Sequence, residues 1–144
     1  MAEGVRETVS VVRRGAVAVV VENGRWLVIR RSQHVVAPGR YCFPGGGIET
    51  DETEEQALIR EVREELGAAV RPLRRIWESV TPWGVHLAWW LSCFEPGSRP
   101  VPNPEEVEEI AWLTPHEMSA LADLLESNRE FIQAWRAGRI RLEL

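Results

Sequence analysis

Residues 46–68 read GGIETDETEEQALIREVREELGA, and this stretch decides the fold. From Glu54 to Leu66 its apolar residues have the spacing of a helix that packs one face against a sheet. Thr53 is the expected N-cap, and Gly67 is the expected residue that ends the helix. The helix also carries carboxylates three and four residues apart, where like charges destabilise a helix unless solvent screens them or a cation binds.

Three glutamates of this helix, Glu61, Glu64 and Glu65, fall within one sector of roughly 100° of the helix surface. The apolar residues occupy a neighbouring sector, so the carboxylates line the edge of the core. Carboxylates at positions i, i+3 and i+4 form an oxygen ligand set suited to Mg²⁺ or Mn²⁺. A solvated acidic stripe has the same pattern, and the helix by itself leaves both interpretations open.

The wider spacing resembles the motif of the Nudix hydrolase (MutT-type) family, Gly-x5-Glu-x7-Arg-Glu-U-x-Glu-Glu-x-Gly-U, where U is a bulky aliphatic residue. The matching residues are Gly46, Glu52, Arg60, Glu61, Val62, Glu64, Glu65 and Gly67. Ala68 stands where a larger aliphatic residue is usual, which weakens a packing contact rather than the chemistry. The flanking stretches YCFPGGGIE (41–49) and EVEEIAWLTPHE (106–117) also resemble the family, so the resemblance covers nearly the whole chain.

The resemblance implies an α+β fold, namely an α/β/α sandwich with a central mixed β-sheet flanked by helices, in a single Nudix domain over residues 1–144. Asn23-Gly24 between two β-branched runs predicts a hairpin. Further strands are predicted in YCF, RPLRRIWESV, VHLAWWLSCF and VEEIAWL, and further helices over 114–127 and roughly 128–137. The glycines of PGGG predict a break in regular structure.

The resemblance also implies a role for each residue of the motif. The carbonyl of Gly46 faces a metal ion, and Glu61 and Glu65 are paired metal ligands. Glu64 shares the role of metal ligand or of general base. The sequence does not decide which carboxylate is the base. Arg60 and Glu52 pair beside the metal and hold helix and loop together. The family implies hydrolysis of nucleoside diphosphates linked to another moiety, with Mg²⁺ or Mn²⁺ as cofactor.

Further candidates lie outside the motif. Glu106, six residues before Trp112, is the candidate for an additional metal-binding carboxylate, with a solvated acidic run as the alternative. Trp83 in TPWG is a candidate for stacking on a base or another planar group, with a structural turn aromatic as the alternative. Three arginines that flank the expected cleft in the sequence are candidates for phosphate binding, with ordinary surface charge as the alternative: Arg30, Arg31 and Arg40.

The composition limits which binding partners and which cellular compartment we expect for the protein. The 17 basic residues, all arginine, and the 22 acidic residues give a net charge of −5, which argues against binding to nucleic acid or to an anionic membrane. Two cysteines form neither a disulfide framework nor a zinc set, which favours a reducing cytosol. MAEGVRETVS lacks the apolar segment of a signal peptide, and AVAVVV is too short to span a bilayer. We expect a cytoplasmic protein, and the sequence does not decide between monomer and homodimer.

The identity of the substrate is left open by the sequence. An NTP or dNTP, ADP-ribose, a nucleotide sugar and a dinucleoside polyphosphate all remain. Pro82 lies 15 residues beyond Gly67, near a spacing associated with ADP-ribose hydrolysis in the family, but the usual Ser-Pro-Gly context is absent. The alternative function is a non-catalytic nucleotide-binding or regulatory module, against which the intact carboxylates argue.

Overall fold

A mixed seven-stranded sheet lies at the centre of the computed structural model, which describes residues 12–143. Within these residues the strands are β1 (Arg14–Glu22), β2 (Arg25–Arg31), β3 (Tyr41–Cys42), β4 (Gly45–Gly47), β5 (Val70–Val80), β6 (His86–Phe94) and β7 (Val107–Leu113). The helices are α1 (Glu54–Leu66), α2 (Pro115–Ser119) and α3 (Glu126–Arg136). None of these helices has both the length and the hydropathy needed to cross a membrane. The stretch MAEGVRETVS lies outside the described residues.

Strand β1 is the centre of the sheet because it pairs along both of its edges. One edge pairs in parallel with β6, from Arg14 opposite His86 to Val20 opposite Ser92. The other edge pairs antiparallel with β4 and then with β2. Strand β2 continues to β3 and β7, and β5 pairs with β6 at the far edge. The combination of parallel and antiparallel pairs confirms the expected mixed sheet.

Both faces of the sheet are covered, since alternate residues of β1 point into two separate cores. Ala18 packs in one core with Leu58 of α1, whereas Val19 packs in the other with Phe131 of α3. The second core is aromatic: the rings of Phe131 and Trp89 stack with centroids 4.9 Å apart. The arrangement is the α/β/α sandwich that the sequence predicts.

Helix α1 begins and ends where the sequence predicts. Thr53 caps it by accepting a hydrogen bond from the Gln56 backbone at 3.1 Å, and the Gln56 side chain accepts one from Thr53 N–H at 3.0 Å. Gly67 ends the helix with φ of 59°, a left-handed conformation that glycine adopts without strain. These two local signals fix where α1 begins and ends.

The expectation that PGGG breaks regular structure is wrong. Gly45–Gly47 form strand β4, which pairs with β1. The glycines allow β4 to approach β1 closely, because a Cβ on Gly45 would overlap the carbonyl oxygen of Ala16. Gly45 has φ of 150°, which further disfavours any other residue there. The glycines therefore form a tightly packed strand beside the start of the motif.

The predicted helix over 114–127 is also wrong in its extent, because α2 ends at Ser119. Beyond it the backbone pairs with β3 instead: Tyr41 N–H donates to the Asp123 carbonyl, and Leu125 N–H donates to the Tyr41 carbonyl, both at 2.9 Å. These long-range hydrogen bonds occupy groups that a continuous helix would need. A new helix, α3, begins at Glu126.

Candidate active site

Three carboxylates converge beside the glycine strand β4. Glu61 and Glu65 lie one turn apart on α1, and Glu106 comes from the turn before β7. Each offers an oxygen atom, and these oxygens lie within 4.8 Å of one another. The fold thus brings a carboxylate from outside the motif to the two on the helix.

Gly46 lies directly against this cluster. A Cβ at residue 46 would overlap the carboxylate of Glu61, so a larger residue would displace that side chain. At the neighbouring Gly47 an added Cβ would meet no atom within 4 Å. A side chain at the first position of the motif would therefore displace the Glu61 carboxylate, whereas one at the next position would not.

The cluster is poorly solvated. Glu65 is only 6% exposed, and one of its oxygens accepts a hydrogen bond from Gly45 N–H at 3.0 Å. Burial, with the charge of Glu61 as the next contribution, raises the pKa of Glu65 well above its ordinary value. Burial also raises the pKa of Glu61, although the hydrogen bond from Arg60 opposes the shift. A bound cation would offset the cost of holding these carboxylates ionised.

Arg60 joins the loop before α1 to the cluster. Its Nε and Nη2 donate to the two oxygens of Glu52 at 2.6 and 2.9 Å, a bidentate pair. Its Nη1 donates to Glu61 at 2.8 Å, and its Nη2 donates to the carbonyl of Gly47 at 2.9 Å. The hydrogen bonds from Arg60 lower the pKa of Glu52 to about 2, so Glu52 is ionised at neutral pH. This contact set holds one oxygen of Glu61 in a fixed place.

Glu64 lies apart from the three clustered carboxylates. Its side chain is 47% exposed and accepts a hydrogen bond of 3.3 Å from Arg60 Nη1. Its backbone carbonyl accepts a hydrogen bond from the side chain of Asn103 at 3.0 Å. A role for Glu64 as ligand or general base stays a prediction.

Two connected clefts lead to the carboxylates. The smaller, of about 140 Å³, contains the three glutamates. The larger, of about 380 Å³, shares Arg31, Gly45 and Gly46 with it and continues past Val85 to the start of α3. A separate and larger cleft of about 640 Å³ lies beside Trp90 and contains none of the clustered carboxylates. The two connected clefts could hold a molecule with one charged part and one less polar part.

The three arginines expected to bind phosphates are placed differently. Arg31 lines both connected clefts. Arg30 points toward acidic side chains, with Nη1 3.8 Å from Glu108 and 3.7 Å from Glu109. Arg40 is exposed and does not line either cleft. Of these three, Arg31 alone faces the space beside the carboxylates.

Trp83 occupies the turn between β5 and β6 and is 69% exposed. It contributes to neither core cluster of the described residues. Val85, two residues farther along the chain, lines the larger cleft, but Trp83 itself does not. Its stacking role stays a prediction.

Sequence reasoning missed Asn128, a buried polar residue that lines the larger cleft. Its Oδ1 accepts a hydrogen bond from Phe43 N–H at 2.9 Å, and its Nδ2 donates to Ser127 Oγ at 3.2 Å. An asparagine on the apolar face of an amphipathic helix was the available signal. The sequence reasoning began the last helix at about residue 128, whereas α3 begins at Glu126. Asn128 therefore stood at the predicted helix end, and its place on the apolar face was not recognised.

A sheet between two helical layers, with a carboxylate-bearing helix set against a glycine strand, defines the class as a Nudix-type hydrolase fold. The family model described as NUDIX domain matches residues 12–135. The chain therefore belongs to the NUDIX family, whose enzymes act on phosphorus-containing acid anhydrides.

Relatives of known name support the same family. The chain is 32% identical over 124 residues to a nucleoside triphosphatase NudI from an Enterobacter species, covering 77% of this chain and 87% of that one. It is 33% identical over 122 residues to an NAD-capped RNA hydrolase NudC from Stutzerimonas stutzeri. That match covers 85% of this chain and 44% of the relative, so the chain spans less than half of that protein's length.

A solved structure agrees with the fold. The solution structure of the E. coli ORF135 protein superposes with a TM-score of 0.70 at 26% sequence identity. The match covers 88% of this chain and 90% of that chain. The similarity therefore extends over most of both chains.

Proposed function

We propose that this chain hydrolyses the phosphorus anhydride of a nucleoside diphosphate linked to another moiety, with Mg²⁺ or Mn²⁺ as cofactor. The observation that carries the proposal is the meeting of Glu61, Glu65 and Glu106 within 4.8 Å, beside Gly46 and at the end of a cleft. The substrate is drawn from NTPs or dNTPs, ADP-ribose, nucleotide sugars and dinucleoside polyphosphates.

The residues present fit a hard divalent cation. Carboxylate oxygens of Glu61, Glu65 and Glu106 are the ligand types that such a cation prefers. The carbonyl of Gly46 as a further ligand stays a prediction, because Gly46 pairs with Ala16 of β1. The burial of Glu65 supports the fit, because a cation would compensate its charge where water cannot. When bound, the cation neutralises charge on the diphosphate and lowers the pKa of the attacking water.

The chain's own residues supply positioning and recognition. Arg60 holds Glu61 in place from one side, and Arg31 offers positive charge to phosphate oxygens in the shared part of the two clefts. The larger cleft, with Val85 on its wall and Asn128 at its base, would take the less polar part of the substrate. Trp83, exposed in the turn between β5 and β6, offers a face on which a planar group could stack.

Arg30 and Arg40 line neither of the two clefts that Arg31 lines. Arg30 is engaged by Glu108 and Glu109. Because Arg30 lies on the other side of β2 from Arg31 and Arg40 lines neither cleft, phosphate binding by either residue stays a prediction. Glu64, exposed beside Arg60, is a candidate for the carboxylate that accepts a proton from the attacking water.

The test is turnover measured over a panel of the four substrate groups, with Mg²⁺ or Mn²⁺ and with excess chelator. We expect hydrolysis of at least one compound with metal, nearly none with chelator, and recovery when metal is added back. Full turnover in chelator would contradict the metal role. A folded protein that hydrolyses no compound of the panel would contradict the proposed activity.

A further inference from the structure

Asn103 connects the turn that carries Glu106 to the end of α1. It lies between two prolines in the loop from β6 to β7. Its Nδ2 donates to the carbonyl of Glu64 at 3.0 Å, and its backbone N–H donates to the carbonyl of Glu65 at 2.8 Å. Both carbonyls are among the last four of the helix, which have no partner within the helix.

The remaining polar groups of Asn103 hold the turn itself. Its Oδ1 accepts a hydrogen bond from Glu105 N–H at 3.2 Å. Its carbonyl accepts hydrogen bonds from Glu106 N–H at 2.9 Å and from Val107 N–H at 2.7 Å. One residue therefore links the backbone beneath two helix glutamates to the backbone of the third carboxylate.

The same turn is fixed on its other side by Ser32, at the end of β2. Ser32 is 3% exposed, and its N–H donates to the carbonyl of Glu106 at 3.0 Å. Its Oγ donates to the carbonyl of Glu105 at 2.8 Å. The N–H and the carbonyl of Glu106 are thus both hydrogen-bonded. Its side chain extends to the other two carboxylates.

The attachment does not depend on the Asn103 side chain alone. Val101 N–H donates to the carbonyl of Leu66 at 2.8 Å, and the backbone N–H of Asn103 donates to the carbonyl of Glu65 at 2.8 Å. Loss of the side chain would leave the Glu64 carbonyl and the Glu105 N–H without these partners, while the backbone contacts remain. We therefore expect a shifted turn in a folded protein.

We propose that Asn103 is a positioning residue that sets where Glu106 lies relative to Glu61 and Glu65, and thereby sets the affinity of the cluster for a divalent cation. This inference rests on the proposed metal role of the three carboxylates. Residues that orient metal ligands through hydrogen bonds typically change metal affinity by roughly 10–100-fold when they are replaced.

The experiment compares Asn103→Ala with a matched control, Ser98→Ala. Ser98 lies in the same loop, and its Oγ accepts a hydrogen bond from Ala69 N–H at 2.8 Å, but among the described residues it makes no hydrogen bond to the Glu106 turn. Calorimetric titration with Mn²⁺, without substrate, measures affinity. We expect affinity about 10–100-fold weaker in Asn103→Ala and unchanged in Ser98→Ala. Asn103→Ser, too short to reach both partners, should behave as Asn103→Ala and serves if that variant does not fold.

A double variant separates the inference from the proposed function. If Asn103 acts through Glu106, adding Asn103→Ala to Glu106→Gln should lower Mn²⁺ affinity little further than Glu106→Gln alone. Unchanged affinity in folded Asn103→Ala, with weakened affinity in Glu106→Gln, would overturn the positioning role and leave the proposed function standing. A further tenfold loss in the double variant would also overturn it. Unchanged affinity in Glu106→Gln would instead remove Glu106 from the proposed metal site.

Discussion

Replacing Gly46 with alanine is expected to lower kcat/KM by at least about two decades, because it disturbs the metal site without removing a carboxylate. The new Cβ would overlap the carboxylate of Glu61. Glu61 must then leave its place between Arg60 and the other carboxylates, or β4 must move away from α1. Either change separates ligands that the wild-type site holds together, so Mn²⁺ affinity should fall as well.

Gly47→Ala is the matched control for this variant. A Cβ at residue 47 would meet no atom within 4 Å, and the hydrogen bond from Arg60 goes to the backbone carbonyl of Gly47, which alanine keeps. We expect near wild-type turnover and Mn²⁺ affinity. Wild-type turnover in Gly46→Ala, or equal losses in both variants, would show that the close contact with Glu61 is not what the motif glycine provides.

Replacing Glu65 with glutamine should lower kcat by at least about two decades, as expected for loss of a ligand that supports electrostatic stabilisation of the transition state. The same variant should be more stable than wild type at pH 8 without metal. Burial raises the pKa of Glu65 in the folded state, so ionising it there costs stability, and glutamine avoids that cost.

The pH dependence of this gain follows from the direction of the shift. The contribution of Glu65 to stability is fully present below its unfolded pKa and is lost as pH rises through its higher folded pKa. The excess Tm of Glu65→Gln should therefore be largest at pH 8 and vanish near about pH 4, where the carboxyl is largely protonated in both states. Thermal unfolding in chelator at several pH values measures it.

Glu55→Gln is the control for Glu65→Gln, because Glu55 is exposed on the first turn of the same helix. It should keep wild-type kcat and show no stabilisation at pH 8. Wild-type kcat in Glu65→Gln would contradict the ligand assignment. A lower Tm than wild type at pH 8 would contradict the account of the buried carboxylate.

Helix α1 and its carboxylates could be predicted because their signals are local. Thr53 and Gly67 mark the two ends of the helix within a short stretch, and the apolar spacing between them fixes its buried face. The spacing of Glu61 and Glu65 places both side chains on one side of any helix. No long-range contact is needed for these conclusions.

The rest of the site depends on contacts between distant parts of the chain. Asn103 and Glu64 are 39 residues apart, and no periodicity in a proline-rich loop indicates that they meet. The predicted helix over 114–127 failed for the same reason, since β3 occupies backbone groups that local propensity assigned to a helix. Arg30 and Arg31 are neighbours with equal propensity, yet opposite sides of a strand give them different surroundings.

Turnover in H₂¹⁸O most directly tests the central claim that water attacks phosphorus beside the three carboxylates. Attack on phosphorus breaks an anhydride P–O bond and forms a new P–O bond to the water oxygen, while the displaced phosphate leaves with the bridging oxygen. With Mg²⁺ and a substrate that the enzyme turns over, we expect one ¹⁸O atom in a phosphate product and none in a sugar or nucleobase. Label found in the sugar or the nucleobase would contradict the account.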